Sequence, residues 1–129
     1  MPTASRMREL MRNYLKRVAD HDLEGVLSLF SESISVEDPV GGPPGTHVVG
    51  IADVSEFFRR GFGSSAPHPT PIGPIVTTAG NEAAMMFTLR LLIRGEERVI
   101  DVIDVFRFDG EDRIESLRAF WNFEEARHP

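Results

Sequence analysis

Tyr14, Asp38 and Asp104 place chemistry where the residue pattern calls for apolar side chains. Asp104 is the sharpest case. The residues alternating with it, Ile100, Val102, Phe106 and Phe108, are all large hydrophobes. An ionised carboxylate buried among them without a partner would be costly, so the pattern predicts a neutral carboxylic acid. A neutral acid is a hydrogen-bond donor. Tyr14, the sole tyrosine, lies on a helical stripe with Met7, Leu10, Met11, Leu15 and Val18, and an inward phenol is a second donor. Two converging donors can stabilise an enolate oxygen. Asp38 follows Ile34 and Val36 at strand alternation, which turns it inward, while Glu37 faces the other way. An ionised Asp38 could remove a proton next to a carbonyl. Together the three make a proton-abstraction site that needs neither cofactor nor metal.

Each residue also has a plainer reading. Tyr14 could be a packed aromatic whose hydroxyl reaches solvent or a carbonyl. Asp38 could be an exposed acid at a frayed strand end, or could bond turn amides before Pro39. Asp101, on the opposite strand face with Val99, Ile103, Val105 and Arg107, reads as an ordinary surface acid paired with Arg107. Other chemistries have less to stand on. His21, His47, His68 and His128 lack metal-ligand spacing and fall mostly in predicted loops or at the terminus. There is no cysteine, hence no disulfide and no thiolate. No nucleophile elbow exists. Gly61-Phe62-Gly63 lacks the third glycine of a dinucleotide fingerprint and reads as flexible loop. Met85 and Met86 read as gap-filling residues.

The elements that must position these residues are legible from periodicity. A first helix starts at a Thr3 or Ser5 cap and carries Tyr14. A second is capped by Asp22, with Leu23, Val26, Leu27 and Phe30 on its inner face. A short strand through Ile34, Val36 and Asp38 ends at Pro39, and Gly41 to Gly45 is loop. A third helix spans roughly Ile51 to Arg60, with Ile51, Val54, Phe57 and Phe58 inward, and Gly61 to Pro71 is a second loop. Four strands follow: Ile72 to Thr78, Glu82 to Arg94 with Met85, Phe87, Leu89 and Leu91 on one face, Arg98 to Phe108, and Arg113 to Phe123. Helices first and an antiparallel meander afterwards predict an α+β fold, with three helices packed on one face of a curved, mostly antiparallel sheet. Such a sheet forms a cone around an apolar pocket, its mouth toward the early strand and its loops.

The chain has 129 residues, 41% hydrophobic and 26% charged, which predicts a single domain over residues 1–129. A net charge of −6 with scattered arginines argues against a nucleic-acid surface. No apolar run would span a bilayer and no signal peptide is visible, so the expected location is cytoplasmic. A neutral, apolar small molecule suits this composition.

At these residues the sequence resembles the bacterial ketosteroid isomerases (steroid Δ5-3-ketosteroid isomerase), of the nuclear transport factor 2-like or SnoaL-like superfamily that also includes scytalone dehydratase. The resemblance runs along nearly the whole chain. It is carried by Val36-Glu37-Asp38-Pro39-Val40-Gly41, by Asp101-Val102-Ile103-Asp104-Val105-Phe106-Arg107-Phe108, by Tyr14, and by Leu117-Arg118-Ala119-Phe120-Trp121 near the end. It implies a steroid Δ-isomerase in which Asp38 carries the proton from C4 to C6. Tyr14 and a protonated Asp104 then hold the C3 oxygen, a feature for which that family is already known. It further implies a pocket wall of Val18, Phe58, Met85, Phe87, Leu89, Ile100, Val102, Leu117 and Ala119. Trp121 matches a position whose indole steadies the base, although a core aromatic would fit the same pattern. The family commonly forms a homodimer through its outer sheet face. Phe30 and Phe58 stand where some members back the tyrosine with further tyrosines, and the Gly41 to Gly50 loop is a few residues longer than in close relatives. Fold alone does not fix function. A cyclase or dehydratase on the same fold, or a non-catalytic binding module, remains an alternative. A dehydratase would want an inward histidine, and a module would have no use for all three polar residues.

Overall fold

The computed structural model covers residues 1–129. Helix α1 (Ala4–Ala19) begins at Thr3, whose side chain accepts a hydrogen bond from the Arg6 amide at 3.1 Å, so Ser5 lies inside the helix. It buries Met7, Leu10, Met11, Tyr14, Leu15 and Val18, the stripe its periodicity predicts. Helix α2 (Leu23–Leu27) is capped by Asp22 through the Gly25 amide. Phe30, expected on its inner face, instead opens strand β1 (Phe30–Glu37), where it is still buried.

Strand β2 (His47–Val49) was not visible in the sequence. It lies inside the segment expected to be loop and pairs antiparallel with β1, Val36 facing Val48. Helix α3 (Ile51–Ser65) runs a full turn beyond the expected Arg60, through Gly61 and Gly63. Gly61-Phe62-Gly63 is therefore helical and no flexible loop. The helix ends where Ala66 takes a left-handed φ of 44°. Strand β3 (His68–Thr77) starts earlier than expected, and β4 (Glu82–Ile93), β5 (Glu96–Phe108) and β6 (Ile114–Phe120) complete the meander. His47 and His68 thus open strands rather than lying in loops, both exposed. Past β6 the chain makes a 3₁₀ turn at Phe123–Glu125, where a continuing strand was expected.

The six strands form one sheet in the order β2-β1-β6-β5-β4-β3. All pairings are antiparallel except β1 with β6, which run parallel with Val36 opposite Leu117 and Glu37 opposite Arg118. The three helices pack on one face of this curved sheet, giving the α+β architecture predicted. The core is a single cluster in which Met7, Met11, Ile34, Val54, Phe106, Phe108 and Ile114 are fully enclosed. No helix is long and apolar enough to cross a membrane.

Candidate active site

Between the helices and the inner sheet face lies a cavity of about 490 Å³. Of the residues expected to bind or react, it is lined by Tyr14 and Val18 from α1, Phe58 from α3, Phe87 and Leu89 from β4, and Ile100, Val102 and Asp104 from β5. Leu117 and Ala119 from β6, with Asp38 and Trp121, complete that set. Met85 does not reach it. Although buried and directly opposite Asp104 in the β4–β5 ladder, it lines a separate groove beside Pro71 and Ile75. Alternation gives Met85 the right face, yet at that level of the sheet Asp104 on β5 lines the cavity and Met85 on β4 lines the groove. Leu15, Phe57, Phe62, Leu91 and Phe123 also line it and were not singled out. Leu15 and Leu91 share inward faces with residues that were, so periodicity held that signal. Phe123 lies beyond the observed end of β6, but it shares the parity of Leu117, Ala119 and Trp121 in the strand expected to run to Phe123, so alternation held that signal too.

The mouth is not toward β1. The exposed lining residues are Ser64 near the end of α3, Arg94 and Gly95 in the β4–β5 turn, and Phe123. The cavity therefore opens at the far end of the β4–β5 hairpin, and the three polar residues sit in its interior end.

The sheet register sets the spacing of those residues. Asp104 pairs with Ala119 on β6, and Asp38 lies one residue past the last paired position of β1, where the Val40 amide donates to the Ala119 carbonyl at 2.9 Å. The two acids therefore flank Ala119 from neighbouring strands, about two strand spacings or ~10 Å apart. The methyl group of Ala119 leaves the space between them open. Tyr14 reaches the same end from α1, its ring in edge contact with Phe106 at 5.1 Å and Phe58 at 6.4 Å, and tilted on Phe30 at 6.2 Å. Phe30 and Phe58 thus hold the tyrosine by packing, with no hydroxyl to share.

Hydrogen bonding separates the three groups. Trp121 Nε1 donates to Asp38 Oδ1 at 2.6 Å, which leaves Oδ2 free to accept. No buried side-chain oxygen or nitrogen in the protein lacks a partner, so the unpaired Tyr14 hydroxyl and Asp104 carboxyl must open into the cavity rather than being sealed in protein. Both side chains are otherwise enclosed, Asp104 to 2% exposure. Burial, reinforced by the charge of Asp38, holds the Asp104 carboxyl well above the usual carboxylate range. Burial raises the Tyr14 phenol well above its ordinary value, and both acids add to that. Asp38 is also raised by burial, but the Trp121 bond opposes the rise. The environments push the two acids apart, so Asp38 is the easier of the two to ionise and the neutral form is favoured at Asp104.

The model of the SnoaL-like domain matches residues 11–117. The chain belongs to the SnoaL-like family. Two curated relatives are enzymes by name. A steroid Delta-isomerase from Nocardioides simplex is 30% identical over 118 residues, covering 92% of this chain and 91% of that protein. The epoxide hydrolase LasB from Streptomyces lasalocidi is 30% identical over 134 residues, covering 98% of this chain, which spans only 45% of LasB. Among solved structures, the epoxide hydrolase/cyclase-like enzyme SalBIII, studied for its role in pyran ring formation in salinomycin, superposes with a TM-score of 0.84 at 23% identity. That match covers 97% of this chain and 96% of SalBIII. The RV0760c protein of Mycobacterium tuberculosis gives 0.85 at 21%, covering 98% of each chain. These two likenesses show a shared fold.

The closed end of the apolar cavity thus holds a carboxylate bonded by Trp121 together with a buried acid and a phenol that have no protein partner. Such a set can move a proton on a bound molecule while stabilising negative charge on a nearby oxygen. Asp101, expected to pair with Arg107, is instead held by Arg127 in two bonds of 2.8 and 3.0 Å, and Arg107 pairs with Glu115 at 3.4 Å. The C-terminal return that brings Arg127 alongside Val99 was not legible in the strand pattern.

Proposed function

We propose that the protein is a steroid Δ-isomerase that converts 3-oxo-Δ5-steroids to their conjugated Δ4 isomers. Asp38 Oδ2 takes a proton from C4. The electron pair released forms a dienolate, whose C3 oxygen accepts hydrogen bonds from Tyr14 and protonated Asp104. Asp38 then returns the proton to C6, the double bond shifts to C4–C5, and the acid and both donors end as they began. The observation that carries this reading is the division of labour at one end of the cavity: an acceptor anchored by Trp121, facing two donors with no protein partner. The Nocardioides relative supports it. Mixing the protein with 5-androstene-3,17-dione tests it: the ultraviolet absorbance of the conjugated enone should rise with wild type and not with Asp38→Asn. Absence of that rise with wild type refutes the reading.

The 30% identity to LasB favours one second reading, the opening of an epoxide. The two donors would protonate the epoxide oxygen while Asp38 activated a hydroxyl or water. A hydrolysed or cyclised product from an epoxide substrate, with no enone from the steroid, would select it.

A further inference from the structure

We propose that the cavity takes a 3-oxo polycyclic substrate whose far end carries a carboxylate, and that Arg94 at the rim is the residue that selects it. The proposal names the substrate class for the isomerase reading above and rests on it for the orientation of the ligand. Only four ionisable side chains line the cavity: Tyr14, Asp38 and Asp104 at the closed end, and Arg94 at the mouth. All other lining is apolar or uncharged, so the cavity has an acidic end and a single cation opposite. Neighbouring Glu96 is paired with Arg98, which leaves Arg94 without a carboxylate partner of its own. Ser64, also exposed at the mouth, adds a hydroxyl to the lining.

The turn geometry adds a second observation. Arg94 and Gly95 form the tip of the β4–β5 hairpin with φ values of 52° and 79°. Two-residue hairpin turns of this kind favour Asn, Asp or Gly at the first position, because a Cβ is crowded at positive φ. Arginine there is not what the backbone asks for, and the residue lines the cavity at its exposed end.

Length argues for a substrate with a tail. From Met85, opposite Asp104, to Arg94 is nine residues of strand, about 30 Å of contour before curvature. A fused-ring nucleus with its ketone between Tyr14 and Asp104 is shorter than that upper bound, which leaves room toward the rim. An acyl side chain on the ring farthest from the ketone would carry a carboxylate toward the guanidinium, where a charge-assisted, two-pronged hydrogen bond can form.

Trp121 is the sole tryptophan and lines the cavity, so its fluorescence reports occupancy independently of turnover. The probes are 3-oxochol-4-en-24-oic acid and its methyl ester, matched in shape and different in charge. At low salt the acid should bind wild type about two- to five-fold more tightly than the ester, the range of a partly exposed ion pair. That ratio should fall to about one in Arg94→Gln and below one in Arg94→Glu. It should persist in Arg90→Gln, a cation on the same strand outside the cavity. A wild-type ratio of one or less, a ratio unchanged by Arg94→Gln, or binding of neither probe overturns the proposal. Isomerisation of 5-androstene-3,17-dione with no preference for the acid defeats the rim assignment alone. A preference for the acid without any isomerisation defeats the isomerase reading alone.

Discussion

The indole of Trp121 donates to Asp38 across 2.6 Å, joining the residue just past β6 to the residue just past β1. The bond depends on the parallel β1–β6 pairing, which brings the two strand ends to the same side of the sheet. It also favours the ionised form of the acid, working against the burial that raises Asp38.

Trp121→Phe should therefore move the acid limb of the pH–rate profile to higher pH. Without the donor, burial acts on Asp38 unopposed, so the carboxylate protonates at a pH where wild type is still ionised. A hydrogen bond to a charged group contributes about 1.5–3 kcal/mol, or roughly one to two pH units. Steady-state kcat/KM measured from pH 4 to 8 checks this. An unmoved limb would leave Trp121 as a wall residue only.

Tyr14→Phe should lower turnover by about 100- to 1000-fold, the usual cost of one oxyanion donor. Stability should change by less than about 1 kcal/mol. The lost hydroxyl has no protein partner, and contacts with Phe30, Phe58 and Phe106 survive. Thermal melts alongside the enone assay separate the effects. Full activity with a much lower melting temperature would make Tyr14 structural.

The polar trio was legible in sequence because each residue interrupts an otherwise regular apolar pattern. Asp104 among Ile100, Val102, Phe106 and Phe108 is visible from alternation alone, and burial confirms that face. What escaped depended on chain segments distant in sequence or on weak local signals. β2 is three residues inside a Gly/Pro-rich stretch and exists because β1 offers it an edge. The last turn of α3 contains Gly61 and Gly63, poor helix formers held there by the packing of Phe58 and Phe62. Met85 has the right parity but lines the neighbouring groove rather than the cavity. Asp101 found Arg127, 26 residues away, ahead of Arg107 on its own strand.

The outer sheet face exposes Ile72, Met86, Ile103 and Phe120, a patch of large hydrophobes on the side away from the helices. We propose that a second copy of the chain covers it. Sedimentation equilibrium at micromolar concentration should give a dimer. Ile103→Asp should shift it toward monomer by burying a charge in the contact. A wild-type monomer at that concentration would refute the assignment.

Asp104 offers the most discriminating test, because its activity and stability effects should have opposite signs. Its carboxyl is held well above the usual range by burial first and by the charge of Asp38 second. Asp104→Asn keeps a donor and should retain activity within about tenfold. Asp104→Leu removes the donor and should lose about 100- to 1000-fold. Leucine nevertheless suits the surrounding apolar face and should stabilise the fold, as expected where a polar group is kept in a core for function. The pH dependence follows from the direction of the shift. The unfolded chain releases this proton near pH 4, whereas the folded protein retains it to higher pH. Above the unfolded value the native state binds more protons, so this group lowers stability progressively as pH rises toward its folded pKa. Wild type should then lose stability relative to Asp104→Leu from about pH 4 upward, while below pH 4 the difference should be flat. Urea melts of both proteins at pH values from 3.5 to 8 measure that gap. A gap independent of pH would mean that Asp104 ionises in the fold as it does in the unfolded chain, and its role as a neutral donor would fall with it.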